Sequence, residues 1–93
     1  MKNSVADILL RLENADNKNK NMLENELVNF GDTAVPELVK NLSIVKGSVR
    51  GIIAMTLIRI GQPAVALLKE AAKSNKDLAW IVKYLITEIN LAA

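Results

Sequence analysis

The stretch GDTAVPELVK, beginning at Gly31, returns thirty residues later as GQPAVALLKE, beginning at Gly61. A self-match at fixed period constrains the fold more than any single residue. A unit this short cannot bury its apolar side alone, so it must stack on a copy of itself. The same shift lays Ala34 on Ala64, Val35 on Val65, Leu38 on Leu68 and Lys46 on Lys76. It also runs backward, with Val5 on Val35, Ile8 on Leu38, Leu12 on Leu42, Lys20 on Arg50, Leu27 on Leu57 and Phe30 on Ile60. Beyond residue 72 the register drops by one. Leu78, Val82, Ile86, Ile89 and Asn90 then occupy the places of Val49, Ile53, Leu57, Ile60 and Gly61, as a one-residue shorter connection requires. The chain therefore divides into units of approximately 1–30, 31–60 and 61–93. At 93 residues it has material for one core and one domain, 1–93.

Within each unit the apolar spacing is helical. Val5, Ile8, Leu9 and Leu12, and again Val35, Leu38, Val39 and Leu42, follow the i, i+3, i+4, i+7 rule and form one stripe. Helix-end chemistry sets the breaks: Ser4 before the first helix, ADNKN before the second, Asp32 or Thr33 at the third, Gly47 and Ser48 before the fourth, and SNKD before the last. Gly31 and Gly61 suit a left-handed helix end, and Pro36 and Pro63 suit a first turn, where a missing N–H costs little. The expectation is an all-α fold of six helices, at about 4–14, 18–30, 33–44, 48–60, 63–73 and 77–90, paired as three antiparallel hairpins.

Composition narrows function by exclusion. With no Cys and no His, the chain has no disulfide, thiol nucleophile or imidazole base. The N-terminal stretch MKNSVADILLRL is interrupted by Asp7 and Arg11 and fails as a signal peptide. No apolar run reaches the roughly 18 residues of a membrane span, so the expected location is cytoplasmic, away from membranes. Glu24 and Glu26 sit two apart and face different ways on a helix, and Asp7 lies on a polar stripe. Neither a metal-ligand cluster nor a phosphate-cradling glycine loop appears, so no catalytic residue, metal or cofactor is expected.

The phrases NFGDTAVPELVKNL and RIGQPAVALLKEAA, the second preceded by VRGIIAMTLIRIG, resemble HEAT-like repeats, particularly the short variety of phycobilin-lyase-like proteins. The likeness covers nearly the whole chain and is strongest over residues 48–73. It is weaker at the ends: the first unit lacks an N-terminal helix, and Asn90 stands at the glycine position of the last. The resemblance implies a short right-handed α-solenoid, usually a scaffold that binds another macromolecule. It also implies that Arg50, the counterpart of Lys20, contacts neighbouring repeats, with partner binding as its alternative role. It transfers no activity: some relatives handle bilins and others bind DNA and excise damaged bases, but no residues here match that chemistry.

Residues that break the repetition are the candidate sites. In the last helix, DLAWIVKYLITEIN, Leu78, Val82, Leu85 and Ile89 share one face, while Trp80 and Tyr84 point the other way beside Lys83, Thr87 and Glu88. Trp80 and Tyr84 match Gly51 and Met55, which the middle hairpin is expected to hide beneath the pair that follows. Two readings stand: a cap in which both aromatics fold over their own repeat with Lys83 snorkelling beside them, or an interface with another chain. A small-ligand pocket is a third. Because the chain starts with the second helix of one pair and ends with the first of another, head-to-tail homo-oligomers through the terminal helices are also expected.

Charge offers a further candidate. Residues 1–37 carry seven acids against four bases, and residues 38–93 eight bases against three acids, so the halves differ in sign although the net charge is only +2. Lys46 and Lys76 recur at the same turn, where stacking would align them along one edge as phosphate binding requires. Asp16 stands at that place in the first unit, which argues against nucleic acid as the main partner. The functional expectation is a non-catalytic protein–protein interaction scaffold or self-associating module, with a nucleic-acid-binding module as the alternative.

Overall fold

The computed structural model describes residues 4–92, and these are helical apart from short turns, with no strand among them. The chain is all-α. Helix α1 spans Val5–Leu12, α2 Asn17–Phe30, α3 Val35–Leu42, α4 Gly47–Ile60, α5 Val65–Ser74 and α6 Ala79–Ala92. Short helices thus alternate with fourteen-residue ones.

Local chemistry explains most of the boundaries. The Ser4 hydroxyl accepts from the Asp7 N–H at 3.1 Å while the Asp7 carboxylate accepts from the Ser4 N–H at 3.4 Å, a reciprocal cap that starts α1. Asp16 starts α2 by accepting from the Asn19 N–H at 2.9 Å. Neither Asp32 nor Thr33 caps α3. A 3-10 turn over Gly31–Ala34 leads into it, and the Thr33 hydroxyl instead donates backward to the Phe30 carbonyl at 2.7 Å. A second 3-10 turn, Gln62–Ala64, holds Pro63 ahead of α5, and a third, Lys76–Leu78, precedes α6. These turns explain why α3, α5 and α6 begin about two residues later than apolar spacing alone suggests. Gly47 is the first residue of α4, with Lys46 at the cap position.

Gly31 and Gly61 close the long helices at φ +61° and +86°. Their ψ values, −142° and −139°, lie outside the left-handed helical well, in a region close to glycine's own. The chain bends by 116° between Gly47–Ile60 and Gln62–Ser74. The same turn is tied to the end of α6, because the Gln62 amide donates to the Asn90 side-chain oxygen at 2.9 Å.

Packing follows the register of the repeat. Each short helix lies on the long helix that follows it, α3 packs on α5, and α4 lies between α2 and α6. The buried residues form one continuous cluster. Leu12, Leu27, Leu38, Leu42, Ile53, Leu57, Leu68 and Leu85 are fully enclosed. Thr56 is the buried polar side chain among them, and it is satisfied by donating to the Ile52 carbonyl at 2.7 Å. Two long-range contacts repeat at the same step: Lys20 Nζ donates to Ser48 Oγ at 3.0 Å, and Arg50 lies over the Trp80 ring. The position shared by Lys20 and Arg50 thus reaches forward onto the first turns of the next long helix. Arg59 adds a lateral tie from α4 to α2, bonding Glu24 at 2.8 Å and Asn25 at 2.9 Å. Glu26 faces α1 instead and pairs with Arg11 at 3.4 Å, so the two neighbouring acids serve separate ion pairs.

Two glycines should respond oppositely to alanine. A methyl group meets nothing within 4 Å at either Gly61 or Gly51, so backbone conformation alone decides. Gly61→Ala is expected to cost about 1–3 kcal/mol because of its positive φ, whereas Gly51→Ala, inside α4, should stabilise by about 0.5–1 kcal/mol. Leu57→Ala, in the enclosed centre, should lose about 2–5 kcal/mol. Urea denaturation of the three variants checks all of these.

Candidate interaction surface

The aromatic residues singled out on α6 are exposed, Trp80 at 64% and Tyr84 at 52%. They do not fold over the edge of their own repeat. Helical spacing puts them one turn apart, and the α6 side opposite them is filled by Val82, Leu85 and Ile89 in the core. Their counterparts in α4, Gly51 and Met55, are exposed as well, Met55 at 51%. The following helix pair therefore does not cover Met55. The physical reason is that α4 meets α6 along a different side from the one carrying Gly51 and Met55, which leaves that outer side open.

Beside Tyr84 lies a groove of about 360 Å³ between α4 and the end of α6, lined by Met55, Ile58, Tyr84, Glu88, Leu91 and Ala92. Leu91 is 75% exposed. Met55 and Leu91 extend the aromatic pair into a band that runs from Trp80 toward the end of α6, about 16 Å at the helical rise. Sequence reasoning missed both. The repeat register puts Met55 on the covered side, although its match with Tyr84 carries the signal, and Leu91 lies just past the expected helix end at residue 90. At the other end of the band the Arg50 guanidinium carbon stands 5.9 Å from the centre of the Trp80 ring, a cation–π contact. Arg50 Nε is buried without a hydrogen-bond partner, so the guanidinium is held largely by the ring and by packing.

The remaining candidates lie elsewhere. Lys83 and Thr87 border a second groove, between α5 and α6, and do not accompany Tyr84 and Glu88. Lys46 stands at the cap position of α4 without bonding to it and Lys76 opens the turn before α6, and both are exposed. Among the described residues no group of three or more His, Cys, Asp or Glu side chains converges as a metal site. No single helix among them is long and apolar enough to cross a membrane. Comparison of the chain with models of protein families, with curated proteins and with solved structures found no match.

The Arg50 contact has an optical consequence, since Trp80 is the one tryptophan in the chain. Arg50→Ala should uncover the ring and raise the acrylamide quenching of its fluorescence. The same change should cost stability only about 0.5–1 kcal/mol, as for an exposed cation–π pair. Quenching equal to that of the unmodified protein would show that the guanidinium does not shield the ring in solution.

Proposed function

We propose that this chain is a non-catalytic protein-binding module, a short right-handed HEAT-like α-solenoid of three helical hairpins whose recognition surface is the outer side of α4 and α6. The observation that carries this reading is the exposed band of Trp80, Tyr84, Met55 and Leu91. Large aromatic and Met side chains are enriched where proteins meet and are costly to leave against water as a continuous patch. Arg50 at one end and Glu88 at the other supply the polar margin such a surface uses for orientation. The solenoid assignment rests on the thirty-residue repeat and on its recurrence in the packing, from Lys20 to Ser48 and from Arg50 to Trp80. The partner is a second protein or a further copy of this chain, in a reducing compartment such as the cytoplasm.

A nucleic-acid reading has one observation in its favour, the matching exposure of Lys46 and Lys76 at successive turns. It comes second because Lys20 and Arg50, the other basic residues of that edge, are engaged with Ser48 and Trp80.

The double variant Trp80→Ala, Tyr84→Ala should keep the helical circular dichroism of the parent and lose at least about tenfold in affinity for whatever protein the parent captures. The variant Lys46→Glu, Lys76→Glu should keep that affinity. Capture unaffected by the first pair, or abolished by nuclease and by the second pair, would transfer the assignment to the basic turns. Sedimentation of the parent and the aromatic variant side by side reads out self-association through the same surface.

A further inference from the structure

We infer that the groove between α5 and α6 is a second docking site, and that its occupant is an amphipathic helix of another protein with acidic residues flanking its apolar stripe. The groove holds about 590 Å³. Its floor is apolar, with Ala72, Val82 and Ile86, and Lys69, Lys73 and Lys83 stand around it. One acid, Glu70, is among the described lining residues, and it lies 3.9 Å from Lys73 on the same helix.

The shape of the groove follows from the repeat. In register, Ile86 corresponds to Leu57 and Leu27, Val82 to Ile53 and Leu23, and Ala72 to Leu42 and Leu12. All six of those counterparts are buried. In the third unit the same positions form a seat of helical proportions, deepened where Ala72 replaces leucine and with Ile86 only half-buried. A helix is the object that such a seat fits, and the known helix-in-groove mode uses the same anchors at i, i+3, i+4 and i+7.

The charge pattern then selects the helix. Lys69 stands where Val39 and Leu9 are buried, Lys83 where Ala54 is buried, and Thr87 where Ile58 and Val28 are half-buried. Another unit with the apolar pattern of the first two would have to bury Lys69 and Lys83 without partners, which is prohibitive. A helix carrying Glu or Asp beside its apolar stripe meets the lysines at the margin, where they keep contact with water and gain opposite charge. The inference does not depend on the aromatic band, which faces away from this groove on the α4 side of α6.

The test uses the full chain and two designed eighteen-residue fluorescent peptides. Both carry a Leu stripe at helical spacing, one with Glu and the other with Lys on the flanks, and fluorescence anisotropy follows binding. The Glu peptide is expected to bind, and the Lys peptide at least about tenfold more weakly. The variant Lys69→Glu, Lys83→Glu should reverse that preference, while Trp80→Ala, Tyr84→Ala should leave it unchanged. Equal binding of both peptides, no binding of the Glu peptide, or binding indifferent to Lys69→Glu, Lys83→Glu would overturn the proposal. So would a parent chain that sediments as a dimer and becomes a monomer with those two substitutions, since the occupant would then be a second copy.

Discussion

Everything in this fold depends on α4 being apolar on the sides it turns to α2, α3 and α6. Val49, Ile53 and Leu57 are buried at those contacts, and Thr56 enters the same interior only because its hydroxyl bonds back to Ile52. A helix with three neighbours cannot carry a narrow stripe, and α4 accordingly lacks the polar face that α1 and α3 possess. The two flanking long helices have two helix neighbours each, α1 and α4 for α2, α5 and α4 for α6, and so leave more of their surface open. On α2 the open surface carries Asn19 and Met22, and on α6 it carries Lys83 and Thr87.

That pattern also separates what was legible in the sequence from what was not. The all-helical class, the identity of the core leucines and the glycine stops follow from spacing and from the conformational freedom of glycine, both of them local quantities. The 3-10 turns before α3, α5 and α6 were not legible, because Thr33 bonding backward to Phe30 competes with a forward cap, and residue type alone does not choose between them. The exposure of Met55 escaped for a different reason. A helical wheel ranks residues by direction, but which direction receives the next unit is a property of the interhelical angle. Lys83 illustrates the same limit, since it follows Trp80 by three positions and yet borders another groove.

The two surfaces on α6 differ in physical character, and so in the selectivity they offer. The band from Trp80 to Leu91 is aromatic and aliphatic with few charges, and suits a contact governed by burial. The groove beside α5 is lysine-rimmed over a small apolar floor, and any contact made there would depend on charge and on ionic strength. One helix thus carries two surfaces of different chemistry on different sides.

The hydrogen bond from Gln62 to Asn90 bears on how this surface behaves in time. The final turn of a helix normally frays, opening and closing far faster than the molecule unfolds. Here the side chain of Asn90 accepts from Gln62 in the bend that follows α4, which ties the last turn of α6 to the body of the protein. That tie opposes fraying where Met55, Tyr84 and Leu91 line one groove, so less disorder would have to be surrendered if something settled on them. A single amide pair at the rim thus favours an ordered edge over a fraying helix end.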